Sequence, residues 1–98
     1  MTGRELKQRM LPAMPEISRF FGIVVRMFYR EHGPPHFHAA YGGHRVTVEI
    51  GTLKAEGHFP PRALALVLAW AELHQVELAE DWERARAGEP LYQIPPLE

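Results

Sequence analysis

The chain of 98 residues contains no cysteine, which excludes disulfides and thiolate metal sites. No apolar run approaches the roughly 18–20 residues that a membrane-spanning helix requires, so no membrane partner is expected. The opening "MTGRELKQRM" lacks the long apolar segment of a secretory signal. These absences lead to the expectation of a cytoplasmic protein. Repeats and low-complexity tracts are also missing. The net charge of −1 is small but unevenly spread. Residues 1–62 carry nine Lys/Arg against five Asp/Glu, whereas residues 63–98 carry two against seven. Such a division permits an anionic ligand on the basic side, although solvated surfaces also produce it.

With 46% hydrophobic residues, the chain fits one domain with a modest core. Pro12 and Pro15 interrupt any helix begun by "RELKQRM", so residues 1–13 are expected to be a flexible extension and 14–98 a single α+β domain. From Gly22 the pattern alternates with period two. "GIVVRMFYR" reads as a first strand, "EHGPP" as a turn and "HFHAAY" as a second strand. Gly42-Gly43 signals a two-residue hairpin leading to "HRVTVEI", and "LKAEGHF" is a shorter fourth strand. Pro60-Pro61 then opens a helix, "RALALVLAWAELH". Its apolar residues fall on two faces, so it needs two covers. The second helix, "QVELAEDWERARAG", repeats Leu78, Trp82 and Ala85 at helical spacing and offers itself as one of them. The tail "LYQIPPLE" should lie extended along the body. The expected architecture is a four-stranded antiparallel meander followed by two helices packed on one face.

A two-residue turn at Gly42-Gly43 pairs Tyr41 with His44, and hence Phe37 with Val48, His38 with Thr47 and His36 with Glu49. One face collects Phe37, Ala39, Tyr41, Val46, Val48 and Ile50, which belong beneath the helices. The other collects His36, His38, Arg45, Thr47 and Glu49, with Arg26, Phe28 and Arg30 contributed by the first strand and Lys54, Glu56 and His58 by the fourth. In this lattice Arg30 stands opposite His36, and Phe28 opposite His38.

Histidine is apt for proton transfer near neutral pH. His36, His38 and Glu49 are therefore candidate catalytic residues for acid–base cleavage of RNA. Arg26, Phe28, Arg30 and Arg45 are candidates for binding it, the arginines at phosphates and Phe28 by stacking a base. A His-x-His strand can also hold a metal if a neighbouring residue supplies a third ligand, although Arg30 and Lys54 would oppose a cation there. No cofactor is otherwise expected. The polar alternative is a plain outer face on which Glu49 and Thr47 hydrogen-bond the histidines. Trp70 and Trp82 read as core anchors.

"ISRFFG", "PPHFHAAYG" and "WAELH" resemble a prokaryotic family, domain of unknown function 4160, over residues 14–98. The resemblance implies that the domain begins at the methionine matching Met14. It carries over no catalytic residue. Family members look like small proteins often encoded beside another short protein, an arrangement similar to toxin–antitoxin modules. The histidine-triad nucleotide hydrolases offer a further comparison, but Ala40 stands where a third alternating histidine would be needed. The leading expectation is an interaction module in such a two-protein system, partnered by the small neighbouring protein, as monomer or homodimer. The alternatives are the metal-independent RNA-binding or RNA-cleaving protein and the metal-binding strand, so enzymatic activity stays open.

Overall fold

The computed structural model describes residues 14–98. The expected flexible extension over 1–13 lies outside the described residues. Five strands, β1 (Glu16–Phe20), β2 (Ile23–Arg26), β3 (His36–Tyr41), β4 (His44–Glu49) and β5 (Ala55–His58), precede α1 (Pro61–Leu73) and α2 (Gln75–Arg86). The strands form one antiparallel sheet in the order β1-β2-β3-β4-β5. The architecture is thus the expected α+β meander with two helices after it, but with five strands rather than four.

The additional strand is β1, and its sequence conceals it. A bulge between Glu16 and Ser18 shifts the register, so Ile17 and Ser18 are both buried and the period-two signal is lost. The turn that joins it to β2 places Phe21 at φ +48° and Gly22 at φ +79°, both left-handed as a tight two-residue hairpin of this kind requires.

The central hairpin follows the predicted register, with Tyr41 opposite His44, His38 opposite Thr47 and His36 opposite Glu49. Gly42 takes φ +58° at the turn, a conformation glycine adopts without strain. The β4–β5 pairing also matches, with Arg45 opposite His58 and Thr47 opposite Glu56. The β2–β3 pairing does not. Arg26, not Phe28, lies opposite His38, and Val24 lies opposite Ala40. The first strand ends at Arg26, and a nine-residue connection, 27–35, replaces the five-residue turn. Arg30 at φ +54° and Gly33 at φ +94° turn the chain within it. A slip of two residues preserves which face each side chain takes, so the predicted inner face survives except at Tyr41, which is 39% exposed at the end of β3 beside the hairpin turn.

That inner face, with Phe37, Ala39, Val46 and Val48, is buried against Val67, Trp70 and Ala71 of α1. Pro61 opens α1, where a missing N–H leaves no bond unmade. Leu78, Trp82 and Ala85 of α2 are buried as their spacing predicts. The tail completes the cover. Ile94 N–H donates to the Ile17 carbonyl at 2.8 Å, and Trp70 Nε1–H donates to the Pro95 carbonyl at 2.8 Å. The terminal segment therefore clasps α1 and β1 together.

Asp81 is fully buried on α2, where its Oδ1 accepts the Tyr92 N–H at 2.8 Å and its Oδ2 has no partner among the described residues. Burial raises its pKa from 3.8 to about 6, with Glu80 and Glu77 adding to the rise. The folded state thus holds this proton more tightly than the unfolded chain does. The resulting stabilisation is complete below about pH 4 and is lost as pH rises through about 6. Asp81→Asn should abolish this pH dependence and leave the variant about 2.5 kcal/mol more stable than wild type at pH 7.5, relative to their difference at pH 4, in urea melts. Parallel stability–pH curves for the two proteins would contradict it.

Gly57 takes φ +127° in β5, and a Cβ there would lie 2.6 Å from the Arg45 carbonyl oxygen of β4. Gly57→Ala should destabilise the fold by at least ~2 kcal/mol, read as a fall in thermal midpoint. An unchanged midpoint would refute the close β4–β5 approach.

Candidate metal centre

His36 and His38 leave β3 on the same side because they are two residues apart on a strand. The connection before β3 then folds back over them and delivers Glu31. Its Oε2 lies 2.8 Å from His36 Nε2 and 3.0 Å from His38 Nε2, and Oε1 is 3.2 Å from His38 Nε2. One ligand atom from each of these three residues lies within 4.8 Å of the other two. No other such group of His, Asp and Glu exists among the described residues.

The far side of each imidazole is fixed as well. His36 Nδ1 lies 2.8 Å from the Pro34 carbonyl oxygen, which can only accept, so Nδ1 carries a proton. His36 Nε2 then faces a carboxylate oxygen. Two lone pairs at 2.8 Å repel each other, so either a proton shared between ring and carboxyl or a metal ion must join them. His38 Nδ1 lies 3.3 Å from Thr47 Oγ1, a group able to donate or accept. A backbone carbonyl behind one imidazole and a hydroxyl behind the other is the outer support by which metal-ligating histidines are oriented.

Packing holds the rings further. Phe28 stacks on His38 with ring centroids 4.1 Å apart and planes 14° from parallel. His36 sits 5.1 Å from the Trp82 ring of α2. The cluster therefore lies at the end of the sheet where α2 reaches β3, with His36 shielded by the helix rather than lying on an open outer face. Its side chains remain accessible, at 14% for His36, 26% for His38 and 28% for Glu31.

The remaining candidates disperse around this centre. Glu49 is opposite His36 in the ladder, but the carboxylate bonded to that histidine is Glu31. Glu49 lines a small recess beside His36 with Lys54. Arg30 does not stand opposite His36. The turn carries its guanidinium to Gly88, beyond the end of α2, where a Cβ on that glycine would lie 3.4 Å from Arg30 Nη2. Lys54, the other cation expected to oppose a metal there, keeps its place beside His36. Arg26 and Arg45 do share the open face of the sheet with His38 and Phe28. Glu31 itself is absent from the sequence-based candidates. Its only sign is an acidic residue in the "EHGPP" stretch ahead of two alternating histidines, and a five-residue turn had no room to fold it back.

The fold and this cluster define a small α+β domain with a two-histidine, one-carboxylate centre at one end of its sheet. A family model, domain of unknown function DUF4160, matches residues 22–83, which span β2 to α2 and include all three cluster residues. The chain belongs to that family. No curated protein and no solved structure matches it.

The support from the Pro34 carbonyl requires the neutral form of His36 to be the Nδ1–H tautomer. Long-range 15N–1H correlation spectra of ion-free protein should show that tautomer for the neutral ring. An Nε2–H tautomer would contradict the geometry.

Proposed function

We propose that this domain binds a divalent first-row transition ion through Glu31, His36 and His38. The observation that carries this reading is the convergence of both Nε2 atoms on one carboxylate oxygen while both Nδ1 atoms are engaged behind them. Two imidazoles and a carboxylate suit zinc, and three protein ligands leave a coordination position for water or substrate. Metal-independent acid–base cleavage of RNA would instead need the two imidazoles to flank a phosphate separately. Convergence on one oxygen supports the shared-ion reading more directly. The ion would not be a folding staple, because the buried apolar cluster between the sheet and the helices includes none of its three ligands.

Titration of tag-free protein with Zn2+ by calorimetry, and with Co2+ by visible absorption, should show one site per chain. His38→Ala and Glu31→Gln should each weaken binding at least ~100-fold, since losing a ligand costs more than losing an outer-shell partner. Glu49→Gln should bind as wild type does. Wild-type protein that binds neither ion, or variants that bind equally well, would overturn the proposal.

A further inference from the structure

The face of the sheet away from α1 carries an open groove of about 620 Å³ that shares His38 with the metal centre. Its apolar lining includes Val24 and Ala40, and Arg26 and Arg45 bring guanidinium groups to it from β2 and β4. Thr47 adds a hydroxyl, and Phe28 adds the aromatic ring that stacks on His38. Neither Arg26 nor Arg45 is in an ion pair among the described residues. Arg26 is held in place by its Nη1 donating to the Met14 carbonyl at 3.0 Å. Glu56 is the one carboxylate on the lining.

The geometry points to a nucleoside phosphate as the occupant of this groove, which we propose as the substrate-binding surface of the domain. The two guanidiniums match a phosphate's charge and its bidentate acceptors; neither is closed into an ion pair among the described residues, and Glu16, opposite Arg26 in the β1–β2 ladder, is itself paired with Arg19. Aromatic and apolar surface beside them suits a base, which stacks on a π-face whatever its sequence. The volume falls in the range of small-molecule sites and accommodates a nucleotide. Because His38 belongs to both surfaces and stands opposite Arg26, a phosphate held by the arginines would lie beside one of the residues that would hold the ion. Orientation by the arginines, and any action of the ion on that phosphate, rest on the metal reading above. Binding in the groove does not.

The source of the phosphate is either a free mononucleotide or a nucleotide within a single strand, and the experiment separates them. Fluorescein-labelled oligouridylate is titrated with tag-free protein in EDTA and again with one equivalent of Zn2+, with AMP as competitor. In EDTA, Arg45→Ala and Arg26→Ala should each weaken binding about tenfold and flatten its salt dependence, while Glu56→Gln should tighten it. Zinc affinity in the arginine variants should equal that of wild type, and amide spectra should show that they fold. Added Zn2+ should tighten the wild-type complex, and His38→Ala should lose that increment. Competition by AMP at similar affinity assigns the groove to free nucleotides, whereas binding of the oligomer alone assigns it to single strands. Oligonucleotide and AMP binding that is absent in wild type, or unchanged in the arginine variants, overturns the groove proposal and leaves the metal site standing. Loss of the zinc effect alone, with arginine-dependent binding intact, counts against the metal reading and not against the groove.

Discussion

The pairing of β3 with β4 governs everything else in this molecule. A two-residue reversal at Gly42-Gly43 sets Phe37 against Val48 and His38 against Thr47, and so commits the apolar side chains to the face under α1 and the imidazoles to the face away from it. A slip of one residue would bury His36 and His38 and expose Phe37, which is fully buried here against Trp70. The same pairing supplies Thr47 as the hydroxyl behind His38. Core and candidate site are thus two faces of one hydrogen-bonded ladder.

The ladder alone does not make a site, since two histidines on a strand are ordinary surface residues. What gathers them is the nine-residue connection between β2 and β3. It ends in Pro34-Pro35, whose first carbonyl receives His36 Nδ1, and it lays Glu31 over both rings. One short segment therefore provides the carboxylate and the backbone group that orients one of the imidazoles. Trp82 closes the side of the cluster toward α2, which ties the site to the helical layer that the tail clasps through Asp81 and Trp70.

These different constraints explain how much was legible in the amino-acid sequence. The central hairpin was readable because a glycine pair and strict alternation fix its register locally. The helices were readable from Pro61, from helical spacing and from Gly88. β1 was hidden because its bulge buries Ile17 and Ser18 in succession and breaks the alternation that identifies a strand. The site was half legible. His36 and His38 stood out through their spacing, and their shared side followed from the strand. Glu31 did not, because its placement depends on a loop path set by Arg30 and Gly33 at positive φ, which no periodicity encodes. The same loop moved Arg30 from the position opposite His36 to the end of α2, while Lys54 kept its place beside that histidine.

The central claim is that Glu31, His36 and His38 form one coordination point. Anomalous diffraction at the zinc edge, from crystals of tag-free protein grown with zinc, tests it most directly. The account predicts a peak about 2.0–2.2 Å from both Nε2 atoms and a Glu31 oxygen. Zinc found only at other histidines such as His44 or His58, or a cluster left bare while Glu31 stays bonded to both rings, would contradict it.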